Sequence, residues 1–169
     1  RSLVASGILE VFRKLWSDSW GPRLEHILRS ALLALLDQDA PTLADVLRLL
    51  SDDDYRRSVG QRVANPQVRS FWLREYPGYP DRFRAEAIAP IQNKVGAFLS
   101  NPLLYGILNA RRESLNLRRV MDEGKILVVN LAKGRIGEDT ADLLGSLLVA
   151  SIGNAAFSRA EMPENMRRP

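Results

Sequence analysis

The sequence predicts a mostly α protein, with a helical domain over residues 1–112 and a short α/β unit over residues 113–169. Two observations predict this division. Apolar residues recur at three- and four-residue spacing through the first two thirds of the chain, which is the period of a helix that buries one face. After residue 112 the pattern changes to a single continuous apolar run, 125–131, followed by a long helical pattern. That change predicts one buried strand and one long helix.

The N-terminal third is predicted to form two amphipathic helices. The apolar stripe of the first consists of Val4, Ile8, Val11, Phe12 and Leu15. The second helix is the clearest in the chain, and its apolar face consists of Leu24, Ile27, Leu28, Ala31, Leu32, Leu35 and Leu36. Pro22 suits the first turn of this second helix, because proline has no N–H to leave unpaired there.

Further helix starts are marked by capping residues. Thr42 and Asp45 form a capping-box-like pair. The three aspartates at 52–54 favour the positive end of a helix dipole, and we prefer that interpretation to a metal site. The Asn-Pro pairs at 65–66 and 101–102 each predict a capping residue followed by a first-turn proline. These signals divide the middle of the chain into several short helices.

A longer helical pattern begins at residue 81 and contains Pro90. A proline ring clashes with the preceding turn and removes one hydrogen-bond donor. We therefore expect Pro90 to kink or split this helix.

The run KILVVNL at 125–131 is led by β-branched residues and predicts a strand buried on both faces, as in a parallel sheet. Residues 132–137 form a glycine-flanked basic loop, and residues 138–159 predict a helix. The residues expected to face inward on that helix are Leu144, Leu147, Leu148, Ile152 and Ala155. Strand, loop and helix are half of a βαβ unit, which requires a parallel neighbouring strand.

Composition excludes several kinds of chemistry. The 169 residues include no cysteine and one histidine, His26, so thiolate and multi-histidine metal sites are excluded. His26 lies off the apolar stripe and is expected to face solvent. The sequence contains no GxxxxGK[ST] loop, and no apolar run approaches the roughly 20 residues of a membrane-spanning helix. We therefore predict no catalytic, cofactor-binding or metal-binding residues, and no membrane span.

The net charge of +4 comes mainly from arginine and is spread along the chain. Lys133 and Arg135 follow the predicted strand, at the edge where α/β folds place ligands, and are candidates for phosphate or subunit-interface contacts. The arginine pairs at 56–57 and 111–112, which are Arg56, Arg57, Arg111 and Arg112, are candidates for nucleic-acid or partner contacts. For each candidate the alternative is an ordinary solvated side chain.

Four strings carry a family resemblance: EAIAPIQNKVGAFL at 86–99, NPLL at 101–104, NLRRVMDEGK at 116–125 and VVNLAKGRIG at 128–137. They resemble the bacterial type IV secretion and conjugative DNA-transfer ATPases, the coupling-protein and secretion-motor branch of the HerA–FtsK class. The helices over residues 20–50 are similar too, so the resemblance covers most of the chain.

The resemblance implies a RecA-like α/β ATPase, usually hexameric, with a helical domain inserted between its two nucleotide motifs. This chain resembles the segment between those motifs: the helical insert followed by a partial RecA-like core. The start at Arg1 without methionine leads us to expect that the N-terminus is cut from a longer chain. The resemblance implies that the phosphate loop lies before Arg1 and that the catalytic carboxylates lie after Pro169. No family catalytic residue can then be assigned, and this segment is not expected to hydrolyse ATP.

The expected function is therefore that of a non-catalytic part of an ATPase that drives DNA or protein transfer. The resemblance implies ATP and Mg²⁺ as cofactors of the intact protein, though not of this segment. It implies as partners a DNA or protein substrate, other ATPase subunits and secretion-channel components at the inner membrane, with a cytoplasmic location. Two alternatives stay open: a freestanding helical module that binds nucleic acid or protein, and a structural or oligomerisation element.

Overall fold

The computed structural model describes residues 1–109, 115–163 and 167, and within these ranges the chain is mostly helical. Its α-helices are α1 (Ser2–Leu15), α2 (Pro22–Leu35), α3 (Ala44–Ser51), α4 (Asp53–Arg62), α5 (Pro66–Ser70), α6 (Asp81–Ser100), α7 (Pro102–Leu108), α8 (Leu117–Asp122), α9 (Lys133–Ile136) and α10 (Glu138–Ser158). The predicted domain boundary at 112/113 lies outside the described residues.

Local capping signals fix where several helices start. The side chain of Asn65 accepts hydrogen bonds from two backbone N–H groups in the first turn of α5, and Asn101 does the same for α7. Asp52 accepts from the N–H of Tyr55 at the start of α4. Each bond satisfies an N–H group that has no partner within its helix. The predicted Asn-Pro caps are therefore confirmed, and so is the position of the three aspartates at the start of α4, where Asp52 is the cap and Asp53 and Asp54 lie in the first turn.

The core is formed by the apolar faces of α1 to α7, together with one residue of α10. The predicted apolar face of α2 is confirmed, since its first six members are all buried. The largest fully buried side chains include Phe12, Ile27, Leu28, Leu49, Trp72, Tyr76, Ile91 and Leu143. Burial of each such side chain stabilises the fold by about 1.5–3 kcal/mol.

Two buried aromatic residues connect the middle of the chain to the N-terminal helices. The Trp72 indole donates a 3.0 Å hydrogen bond to the carbonyl of Ser30 in α2. The Tyr76 hydroxyl donates a 2.9 Å hydrogen bond to the carbonyl of Leu50 in α3. Both aromatic residues follow α5 in a π-helical turn and a 3₁₀ turn. These bonds satisfy the polar atoms that burial would otherwise leave without water.

A carboxylate on α2 organises the surface near α1. Glu25 accepts hydrogen bonds from the Trp20 indole at 2.9 Å, from Arg29 at 2.9 Å and from Arg13 at 2.7 Å. Led by the Trp20 bond, these contacts lower the pKa of Glu25 to about 2. The group is therefore ionised at neutral pH and links α1 to α2.

The helix α6 runs without interruption from Asp81 to Ser100, so Pro90 does not split it; the kink expected as the alternative stays a prediction. Proline removes one backbone donor, but the neighbouring turns retain their own hydrogen bonds. Ile88 and Ile91 on either side of Pro90 are both buried, and this packing holds the helix together across the proline.

The helix α10 packs against α1, α8 and α9. Gly7 of α1 allows the close approach, because a methyl group there would lie 3.2 Å from the amide nitrogen of Asn154. The predicted inward face of α10 is only partly correct. Leu143 is the fully buried leucine of α10, whereas Leu144 is half-buried and Ile152 is 36% exposed. The predicted face assumed a covering sheet, and α10 packs on a helix instead.

The prediction of a buried strand at 125–131 is wrong for this structure. The segment has no regular secondary structure, no strand occurs in the described ranges, and Ile126 and Val128 are 92% and 86% exposed. A strand requires a hydrogen-bonded neighbour, and none of the helices can supply one. The fold is therefore mostly α, and the described residues contain no RecA-like sheet.

Candidate functional site

The strongest candidate for a functional surface is the extended segment 125–132 together with α9, here called the 125–136 surface. Glycines bracket it: Gly124 and Gly137 have φ angles of +65° and +85°, which favour glycine. The N–H of Lys125 donates to the carbonyl of Val120, and the N–H of Ala132 donates to the Asn130 side chain. The first bond anchors the start of the segment to α8, and the second forms a local turn at its end.

Side chains along the segment alternate in exposure with the period of a β-strand. Ile126 and Val128 are 92% and 86% exposed, whereas Leu127 and Val129 are 37% and 44% exposed. Leu131 contacts α10 at Gly145, where a methyl group would lie 3.2 Å from the leucine. One face of the segment therefore lies towards the helices, and the other is open.

The backbone of this segment is unusual. In the part of the chain that the structure describes, none of the N–H groups of residues 126–131 donates a hydrogen bond, and none of the carbonyls of residues 125–131 accepts one. Backbone groups in folded proteins are nearly always paired with protein or water. Both edges of the segment are therefore available to another strand.

The two cations predicted as phosphate or interface contacts lie together on α9. Lys133 Nζ is 3.0 Å from a carboxylate oxygen of Glu138 and 3.0 Å from one of Asp142. These carboxylates raise the pKa of Lys133 and surround it with more negative than positive charge. Arg135 is exposed and makes no ion pair with any described residue. Of the two, Arg135 is thus the cation open to a partner.

The arginine pair on α4 divides into one buried and one exposed residue. The Arg56 side chain is 4% exposed; it donates to the carbonyls of Leu49 and Leu50 and pairs with Asp53. Arg57 is 64% exposed and lies 3.1 Å from Asp54. Arg56 therefore stabilises the end of α3, and Arg57 alone of the pair faces solvent.

The second arginine pair, Arg111 and Arg112, lies outside the described residues. Its proposed contact with nucleic acid or a partner therefore stays a prediction.

A groove of about 930 Å³ runs between α1 and α10 and ends at Leu131. Its floor is apolar, and its ionisable groups are two cations, Lys14 and Lys133, and two carboxylates, Glu10 and Asp142. These charges cancel at neutral pH, so the groove does not favour an anion.

Histidine and the acidic residues do not form a metal site in the described ranges, where no group of three potential ligands comes together. His26 is exposed, as predicted, and its ring contacts Phe71 edge-on at 4.9 Å between centroids.

No protein-family model, curated protein or solved structure matches this chain.

One helix has a composition that bears on membranes. By length and apolar content α10 could cross a bilayer, with a mean hydropathy of 1.3 over its most apolar stretch. Sequence inspection missed this because polar residues interrupt the apolar positions. Core helices of soluble proteins have the same composition, so this property does not assign a location.

The burial of Arg56 and the open edges of the 125–136 surface were both missed by sequence reasoning. Helix phase could have identified the first, because Val59 and Gly60, three and four residues further along α4, are buried. The second has no local signal, since a continuous apolar run is typical of a strand that already has neighbours.

Proposed function

We propose that this chain is the helical insert and adjoining core segment of an ATPase of the type IV secretion and conjugation class. In this proposal the helical part recognises a substrate or partner, and the segment itself is not catalytic. The intact ATPase binds ATP and Mg²⁺, assembles with further copies, and moves DNA or protein towards channel components at the inner membrane from the cytoplasmic side.

The observation that carries the proposal is the unpaired 125–131 backbone beside α10. An extended β-branched run, a short turn and a long helix occur in that order, as in one half of a βαβ unit. Within the described residues both edges of the run lack backbone hydrogen bonds, and its outward residues Ile126 and Val128 are exposed. A RecA-like sheet would supply a strand at each edge and a layer over the open face.

The positions of the family-like strings support the proposal further. They lie on α6, the start of α7, α8, and the 125–136 surface. The third string ends at the first residue of the unpaired segment, and the fourth covers the rest of the segment from residue 128 together with α9. Arg135 of α9 is exposed and makes no ion pair with a described residue, which supports a role in subunit contact.

The coding sequence on both sides of the chain tests the parentage. We expect a glycine-lysine phosphate loop encoded before residue 1 and a strand with paired carboxylates encoded after residue 169. The longer product should release phosphate in a Mg²⁺-dependent malachite-green assay, whereas residues 1–169 should not. Flanking sequence without these motifs, or clear turnover by residues 1–169, would contradict the proposal.

One observation favours a second candidate, a freestanding helical binding module. Among the described residues, the buried core extends from Ala5 to Leu104 and includes Leu143 of α10, against which partly buried residues of α10 also pack. The helical part therefore supplies nearly all of the buried core. A salt titration of DNA binding tests this function. A steep decrease in affinity with salt would indicate DNA engagement, since each neutralised phosphate releases counterions. No binding at low salt would exclude DNA as the partner.

A further inference from the structure

We infer that residues 125–131 pair with the same residues of a second copy of this chain, as an antiparallel two-stranded ribbon. The basis is the unpaired backbone: six consecutive N–H groups, 126–131, donate no hydrogen bond within the described ranges. Such a row of open donors and acceptors is a template for another strand.

The residues of the segment suit pairing and do not prevent it. Natural edge strands are usually protected by charge, proline or a bulge. Residues 126–131 include no charged residue and no proline, and five of the six are Ile, Leu or Val, four of them in an unbroken row, ILVV. The segment is also anchored to α8 at its start, through the bond from Lys125 to Val120, which reduces the ordering needed before it pairs.

The side-chain alternation restricts the register. Residues directly opposite each other in an antiparallel pair point to the same face, and side chains change face at every residue. In a symmetric pair of identical strands, opposed residues are therefore both even-numbered or both odd-numbered, and their numbers add to an even sum. A two-fold axis at Val128 meets this condition and uses all of 125–131. It places Val128 against Val128, and Leu127 against Val129, which are apolar pairs on the two faces.

The charges beside the segment agree with the same register. Glu123 is paired with Arg119 and Lys125, a group of net charge +1, and Lys133 is paired with Glu138 and Asp142, a group of net charge −1. The axis at Val128 brings the first group of one copy towards the second group of the other, and the two-fold symmetry repeats this contact. A second copy is therefore the partner for which this edge is self-complementary. The inference concerns the chain of 169 residues and holds whether or not its parent is an ATPase.

Sedimentation velocity over micromolar to sub-millimolar concentrations tests the pairing. We expect the weight-average mass to rise towards twice that of the monomer. Successive N–H groups point to opposite edges of the segment. Val128→Pro therefore removes a donor from one edge, and Val129→Pro removes a donor from the other. At least one of them should raise the dimer dissociation constant by about tenfold or more. The matched variants Val128→Thr and Val129→Thr retain the N–H and the branched shape and should still dimerise.

A monomer at every concentration would overturn the inference. So would a dimer that neither proline variant weakens. Helicity by circular dichroism, unchanged in the proline variants, shows that any loss of dimer is not a loss of fold.

Cysteine cross-linking tests the register, because the natural chain has no cysteine. Val128→Cys should form a disulfide dimer readily, since opposed Cβ atoms lie about 4.5–5.5 Å apart. Ile126→Cys is the control, because its two copies would be offset by four residues, or about 13 Å along the strand. Faster cross-linking at 126 than at 128 would overturn the register.

Discussion

Substituting Arg56 and Arg57 in turn compares two adjacent residues of one type with opposite burial. The last turn of a helix leaves carbonyls without partners, and at the end of α3 the Arg56 guanidinium donates to Leu49 and Leu50 at 3.2 and 3.4 Å. It also lies 5.0 Å from the centre of the Tyr76 ring. Arg56→Ala removes all these contacts at once.

The expected loss in free energy of unfolding follows from those contacts. Leaving buried acceptors without a charged donor costs about 1.5–3 kcal/mol. The lost contact between cation and ring adds about 0.5–1 kcal/mol. The ion pair with Asp53 adds little, because that carboxylate is 71% exposed. We expect Arg56→Ala to destabilise the fold by about 3 kcal/mol in total, through these two effects.

Arg57→Ala is the matched control. Its guanidinium and its partner Asp54 are 64% and 94% exposed, so the loss should stay below about 0.5 kcal/mol. Urea unfolding followed by circular dichroism measures the stability of both variants. The two are compared at the same dependence of the free energy of unfolding on urea concentration. With a slope of about 2 kcal/mol per molar urea, Arg56→Ala should lower the midpoint by about 1.5 M. Equal midpoints for the two variants would refute the structural role assigned to Arg56.

Three further outcomes are expected. The pKa of Glu25 is lowered from 4.5 to about 2 in the fold. Its ionised form therefore stabilises the fold fully at pH values above 4.5, and that contribution is lost as the pH falls from about 5 to 2. A carboxylate titration by NMR that gives a pKa near 4.5 would contradict this. Gly60→Ala should lower the urea midpoint, because the added methyl group would lie 2.7 Å from the Leu73 side chain. Gly96→Ala, whose added methyl group would have no atom within 4 Å, should raise the free energy of unfolding by about 0.5–1 kcal/mol. Equal effects of the two alanines would contradict it. Trp72→Phe removes a buried indole hydrogen bond and should cost about 1–3 kcal/mol by thermal or urea unfolding, and an unchanged midpoint would show that bond to be dispensable.

Local signals explain what the sequence could predict. Asn65 and Asn101 cap their helices through bonds that span two or three residues, so the local sequence is enough to place those helix starts. The apolar face of α2 follows from its 3.6-residue period in the same way.

Long-range partners explain what could not be predicted. The 125–131 run has the composition of a buried strand, but burial depends on neighbours that residue order does not specify. Helix phase favours Arg56 over Arg57 as the buried residue, but residue order does not specify its hydrogen-bond partners at the end of α3. The resemblance to secretion ATPases rests on the strings alone and stays a proposal.

Because all three tryptophans lie in the first 72 residues, tryptophan fluorescence and ellipticity report on different parts of the molecule. Trp16, Trp20 and Trp72 all lie in the first 72 residues, and Trp72 is fully buried. Their fluorescence therefore records events around α1, α2 and the π-helical turn, while ellipticity also records α8 and α10. Melting curves that coincide by both signals would mean that α10 leaves α1 only when the whole core opens, and curves that separate would identify it as an independently detaching arm.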